Sequence, residues 1–216
     1  MAIEKKFPGS IRMRRIKGMY WEAKGDFNQA EAVYKAILLE QPNNELAMKR
    51  QAALELSRNN MTGAVDTIRK YLDVYANDKD AWEQLGELYL QMLLYRQALF
   101  CYEELLMFAP ASVGYLTRVA DILYTLGGNT NLRQARAYYS RAVDLSQGAS
   151  ARGLFGILAC SAAITDKPVL QDDRSRAQIE LPDLAAVSLM RLYKQHAPSK
   201  VAVVQSVLED SLPKSS

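Results

Sequence analysis

A proline grid constrains this chain more than any other feature. Pro8 and Pro42 stand 34 residues apart, and Pro110 lies two further periods on, with Ala76 at the intervening position. A fixed period of this length marks a chain built from one repeated supersecondary unit. Four frames of that period start at Ile11, Glu45, Lys79 and Val113, the one from Glu45 keeping least of the pattern. Small residues recur at two places in the frames: Gly18, Ala52, Gly86 and Ala120 first, then Ala30, Ala64, Ala98 and Ala135. Small side chains there let two helix axes approach, aromatics fill the space beside them, and the closing proline denies the second helix a further N–H. Tyr34, Tyr89, Tyr95, Tyr102 and Tyr139 therefore read as packing residues. One such hairpin cannot bury its apolar face alone, whereas stacked hairpins can.

Two frames carry a resemblance. The frame from Lys79 supplies Trp82, Leu85, Gly86, Tyr89, Ala98, Tyr102 and Pro110, and the frame from Ile11 supplies Gly18, Trp21, Ala30, Tyr34 and Pro42. These residues resemble the tetratricopeptide-repeat (TPR) pattern, which implies an all-α solenoid of helical hairpins. On that reading residues 1–10 are the end of a truncated preceding repeat, because Pro8 sits at a closing-proline position with seven residues before it. The solenoid is expected over 11–164, with repeats near 11–44, 45–78, 79–112 and 113–148 and the start of a fifth. Residues 165–178 are expected as a loop or disordered segment, 179–212 as C-terminal helices with Pro182 in a first turn, and 213–216 as a tail. The fourth frame slips by three residues at Gly127–Asn131, which reads as a lengthened turn.

Catalytic chemistry finds no foothold. The single histidine, His196, cannot build a histidine metal site, and Cys101 and Cys160, 59 positions apart, frame no disulfide scaffold. No phosphate-binding glycine loop, nucleophile elbow or zinc-protease motif occurs. Glu103–Glu104 and Asp172–Asp173 are neighbours that diverge on a helix rather than facing pairs. Both thiols lie in apolar surroundings and read as small buried hydrophobes, while His196 reads as a helix-terminal cation. No enzyme, cofactor or metal is expected. A net charge of +3 is too small to argue for nucleic acid, and the basic cluster Lys5, Lys6, Arg12, Arg14, Arg15 and Lys17 has one aromatic, Phe7, near it. The longest uncharged apolar run, Gly153–Ile164, is 12 residues, short of the ~20 that a membrane-spanning helix needs.

The TPR likeness directs attention to the concave groove, toward which first-helix positions of each repeat point. They are Arg12, Arg15, Met19 and Glu22; Lys49, Ala53 and Leu56; Asp80, Glu83, Glu87 and Leu90; then Asp121 and Tyr124. Charge along this stripe runs from basic to acidic with apolar residues between, which suits a protein segment of mixed charge. A soluble co-chaperone or adaptor that binds peptide tails is the alternative reading. The two asparagines with which such co-chaperones grip a C-terminal carboxylate are absent from either frame.

Residues outside the repeat consensus carry a closer likeness. Phe7-Pro8-Gly9-Ser10, Gly18-Met19, Leu85 with Glu87-Leu88-Tyr89, Phe100-Cys101, Glu103-Glu104-Leu105, Gly127-Gly128, Asn131-Leu132 and Leu154-Phe155-Gly156 resemble subunit 2 of the ER membrane protein complex. The likeness covers about residues 5 to 165 and is loose beyond Thr165. It implies a non-catalytic scaffold on the cytoplasmic face of the endoplasmic reticulum membrane. Its implied partners are cytosolic parts of the subunit 3 and subunit 5 types and a soluble subunit of the 8/9 type, with membrane association through partners alone. The complex it implies inserts transmembrane segments.

Overall fold

A computed structural model describes residue 7 and residues 9–165 and 173–211, the side chains of 173–179, 210 and 211 excepted. Pro8, residues 166–172 of the expected loop and the expected tail lie outside the described residues. Among those described, regular structure is helical. The helices are α1 (Ile11–Ala23), α2 (Phe27–Glu40), α3 (Glu45–Ser57), α4 (Met61–Leu72), α5 (Lys79–Gln91), α6 (Tyr95–Phe108), α7 (Val113–Leu126), α8 (Asn129–Leu145), α9 (Ala151–Ala163), α10 (Asp173–His196) and α11 (Val201–Ser211). They form two compact units, one through Leu94 and the other from Tyr95. In the first, α1 packs on α2, α2 on α3, α3 on α4 and α4 on α5. In the second, each helix from α6 to α10 packs on its successor, and α9 also reaches α7 and α11. Contact between neighbours in the chain is how stacked hairpins bury a continuous core.

The recurring small residues lie where helices meet. Ala30, Ala64, Ala98 and Ala135 are fully buried. In the first unit Ala30, Tyr34 and Ile37 of α2 join Ala47 and Leu54 of α3, with Ile11, Trp21 and Phe27 against them. Trp82 is half-buried, and its indole N–H donates to the Ala76 carbonyl at 2.8 Å, at the grid position that lacks a proline.

Helix ends follow the same period. Asp26 and Asn60, and then Asn44, Asp78 and Ser112, are N-caps whose side chains accept backbone N–H groups of the first turn. The left-handed residue that closes the first helix of each hairpin also recurs every 34 positions: Gly25, Asn59, Leu93 and Gly127. In the first three, a backbone bond spans the turn, as from Asp26 N–H to Trp21 O, Asn60 to Glu55 and Leu94 to Tyr89.

Two expectations need correction. The three extra residues of the fourth frame lengthen a helix, not a turn. Gly127 and Gly128, at φ 70 and 84, reverse the chain alone, and α8 runs for 17 residues where α2 and α6 have 14. Asn131 Nδ2 donates to Gly127 O at 2.8 Å, fastening that added turn. The second concerns the loop expected over 165–178. Helix α10 begins at Asp173, so Pro182 stands inside a helix instead of in its first turn. Ala177, Gln178 and Glu180 favour helix strongly enough to carry it to a proline that removes one backbone donor.

Candidate partner-binding surface

The first-helix residues proposed for the groove divide into those that face solvent and those engaged inside the fold. On α1, Arg12 and Met19 are exposed and Arg15 and Glu22 half-buried. On α3, Lys49 is exposed and Ala53 and Leu56 half-buried; on α5, Asp80 and Glu83 are exposed and Glu87 and Leu90 half-buried. In the second unit Asp121 is half-buried and Tyr124 exposed on α7. Ile16 and Tyr20 add exposed apolar surface to α1 beside Met19.

Three of these charges belong to polar ties that join successive hairpins. Tyr34 Oη on α2 donates to Glu22 Oε1 at 2.6 Å, and Arg50, from α3, pairs with the same carboxylate. In the second unit Tyr139 Oη on α8 donates to Asp121 Oδ1 at 2.6 Å, and Arg152, from α9, reaches Asp121 Oδ2 at 2.7 and 2.8 Å. A third tie reuses the parts: Tyr71 Oη donates to Asp78 Oδ2 at 2.6 Å, and Lys49 Nζ meets that oxygen at 2.6 Å while lying over the Tyr71 ring. Burial, then the neighbouring carboxylate, pushes the Tyr34 and Tyr71 hydroxyls up to about 12, and the same causes raise Tyr139. These phenols stay protonated and donate. Lys49 is held above its ordinary value chiefly by its bond to Asp78.

Glu22, Lys49 and Asp121 thus hold hairpins in register, and a ligand that needed any of them would break a tie first. Sequence reasoning missed Arg50, Asp78 and Arg152 as their partners. For Arg50 and Arg152 a signal existed: a carboxylate on a first helix, a tyrosine on the second and a cation early in the next hairpin; Asp78 reverses it, with the cation Lys49 on the first helix. Arg14 of the basic cluster is engaged as well, bidentate to Glu40 at 2.5 and 2.6 Å. Of the repeat-defining residues, Gly18 and Gly86 are buried, and Pro42 and Pro110 exposed beside their turns.

The thiols are buried, and desolvation pushes Cys101 up to about 12 and Cys160 to about 11, far from the thiolate a nucleophile needs. His196 ends α10. Glu103 is exposed and Glu104 half-buried; with Phe100, Met107 and Tyr138 they border a depression of about 480 Å³. Among the described residues no three His, Cys, Asp or Glu side chains are placed to hold a metal ion. None of the described helices is long and apolar enough to cross a membrane.

Helical hairpins of this period, with small residues at their crossings and polar ties between them, define a tetratricopeptide-repeat protein. Solved structures of that class agree in fold: YrrB, a TPR protein with an unusual peptide-binding site, has a TM-score of 0.62 at 11% identity and covers 96% of both chains. The MamA protein gives 0.57 at 15% identity over 89% of this chain and 93% of its own. Within the class, a family model described as the EMC2 TPR-like repeat domain matches residues 8–135, and the chain belongs to that family. ER membrane protein complex subunit 2-A of Xenopus laevis is 32% identical over 192 residues, 89% of this chain and 64% of that protein. Subunit 2 of Dictyostelium discoideum is 34% identical over 137 residues, 63% of this chain and 42% of that protein. The chain therefore spans less than two thirds of the length of these relatives.

Proposed function

We propose that this chain is a non-catalytic scaffold of the ER membrane protein complex, acting on the cytoplasmic face of the endoplasmic reticulum membrane. Its work is to hold cytosolic parts of membrane-embedded subunits, of the 3 and 5 types, and a soluble subunit of the 8/9 type, while the complex inserts transmembrane segments. The observation that carries this reading is family membership, with identities of 31 to 34% to proteins named as subunit 2 of that complex. The inert thiols and a histidine at a helix end accord with a role in binding. Membrane association runs through partners.

The ties narrow the contact surface. With Glu22, Lys49 and Asp121 bonded internally, the contact candidates in the first unit narrow to Arg12, Arg15 and Met19 on α1, Ala53 and Leu56 on α3 and Asp80 and Leu90 on α5, and in the second unit, by itself, to Tyr124 on α7. Engagement of Lys49 by Asp78 and Glu45 also counts against the co-chaperone alternative, for which that lysine would grip a peptide carboxylate.

Affinity purification of the protein from ER membranes in mild detergent tests the proposal. Integral membrane proteins should co-purify in fixed ratio, and Met19→Glu or Tyr124→Glu should lower their recovery without moving the melting temperature. Recovery of a soluble monomer free of membrane proteins would overturn it.

A further inference from the structure

The second helices of the later hairpins form another surface, on side chains that the first-helix groove does not use. In the second unit α6 and α8 both pack on α7, and a depression of about 480 Å³ opens between them. Buried Leu116 of α7 lies at its floor. Phe100 and Met107, about two turns apart on α6, line it while 55% and 76% exposed. The α6 wall also carries Glu103 and Glu104, and the α8 wall carries Tyr138 and Arg141. These three charges share one depression, yet among the described residues none of them forms an ion pair. Burial, then the charge of Glu104, raises the Glu103 carboxyl. Arg96 and Asp144 are exposed on the same two helices but do not line the depression.

The repeat does not ask for these residues. At the position of Phe100 the other second helices have Ala32, Asp66 and Ala137, and at that of Glu103 they have Lys35, Arg69 and Ser140. Hairpins therefore stack without a ring or a carboxylate at these places. Single exposed apolar side chains are ordinary on a protein surface, whereas two that share a depression with a buried leucine form a patch that marks a contact site. A channel with one helix as floor and two as walls seats the ridge of a further helix. A second copy of this chain would bring its own depression to the site, not a ridge. Charge then restricts which helix fits. The α6 wall is anionic and the α8 wall cationic, so a helix with one sign on both flanks is repelled by one wall. A helix with cations along one side of its apolar ridge and anions along the other is attracted by both.

We infer that the channel between α6 and α8 docks an amphipathic helix of a partner protein whose two flanks differ in charge. Its apolar ridge lies against Phe100 and Met107, its basic side chains face Glu103 and Glu104, and its acidic ones face Arg141. This inference does not depend on which complex the chain serves.

The test uses the full chain and three fluorescein-labelled helical peptides of about 18 residues, all with leucine at alternating third and fourth positions. One has lysine on one flank and glutamate on the other, the second lysine on both, and the third glutamate on both. Fluorescence anisotropy should show the mixed peptide bound and the other two at least about 10-fold weaker. Phe100→Ala, which installs the residue of two equivalent positions, should leave the melting temperature unchanged and weaken the mixed peptide about 10-fold. Arg141→Glu makes both walls anionic and should turn the preference to the lysine peptide. Glu103→Lys/Glu104→Lys makes both cationic and should turn it to the glutamate peptide. An unfolded variant could gain neither. Three results would overturn the inference: no binding of the mixed peptide, equal binding of all three, or a preference unmoved by the charge variants. A dimer of the chain alone in sedimentation velocity, dissolved by Arg141→Glu, would also overturn it and assign the channel to a second copy. The co-purification described above can succeed or fail without changing any of these readouts.

Discussion

Tyr34 and Tyr139 occupy equivalent repeat positions in different units and donate to a first-helix carboxylate at the same 2.6 Å, yet room is made for them from opposite sides. Tyr34 lies against Gly18 of its own hairpin, where an added Cβ would come within 2.5 Å of the ring. At the matching position Tyr139 has Ala120, and the glycine it lies against is Gly156 of the following hairpin, again at 2.5 Å. The comparison teaches that the repeat demands a cavity for a tyrosine ring but leaves open which neighbour supplies it. The cations differ too: the Arg50 side chain is 33% exposed and that of Arg152 is 70% exposed.

The largest effects come from filling those cavities. Gly18→Leu and Gly156→Leu should each cost about 3 kcal/mol or more, read from thermal or urea melts. Double-mutant cycles sharpen the contrast: Tyr34→Ala should relieve Gly18→Leu but not Gly156→Leu, and Tyr139→Ala the reverse. Relief in the wrong pairing would break the comparison.

Removing the cations separates the two ties by burial. Arg50→Ala should cost about 2 kcal/mol because it strands a carboxylate largely out of water. Arg152→Ala should cost less than about 1 kcal/mol and depend more on salt, as exposed pairs do. Equal losses would mean that exposure does not govern these ties.

The third tie adds pH. Burial raises the Asp78 carboxyl, but bonds from Lys49, Tyr71 and the Ala81 N–H outweigh it and hold the group below 3.8. A depressed folded value contributes stability above the unfolded value, lost as pH falls through the folded one. Asp78→Asn should therefore cost about 1 kcal/mol at pH 7 and progressively less as pH falls through the folded value, in denaturant melts across acid pH. A constant loss would place its effect in the helix cap alone.

The smallest effect concerns the turns. Leu93 adopts φ 58 at a place where Gly25 and Gly127 serve, and it is 67% exposed, so little packing offsets its strain. Leu93→Gly should raise stability by about 0.5–1 kcal/mol. A loss on this substitution would show that the Leu93 side chain is packed after all.

Much of the fold was legible because it rests on local spacing. Prolines, small residues and aromatics at fixed intervals mark where hairpins cross and end, and the caps Asp26, Asn60, Asn44, Asp78 and Ser112 carry the same period to a reader who looks for it. The Gly127–Gly128 insertion was visible as a change of length, but spacing does not say whether extra residues join a turn or a helix. Glu22, Lys49 and Asp121 read as ligand-facing from their repeat positions. Whether such a side chain meets a partner or an arginine of the next hairpin depends on reach and rotamer across a helix interface.

By itself, then, the sequence determined a stack of helical hairpins, the places where they cross and the absence of a recognisable catalytic motif. Periodic packing physics writes those features into residue spacing. Tertiary structure alone decided which charges tie hairpin to hairpin and which glycine admits which tyrosine. Those outcomes depend on distances between side chains remote in sequence, which no local pattern encodes.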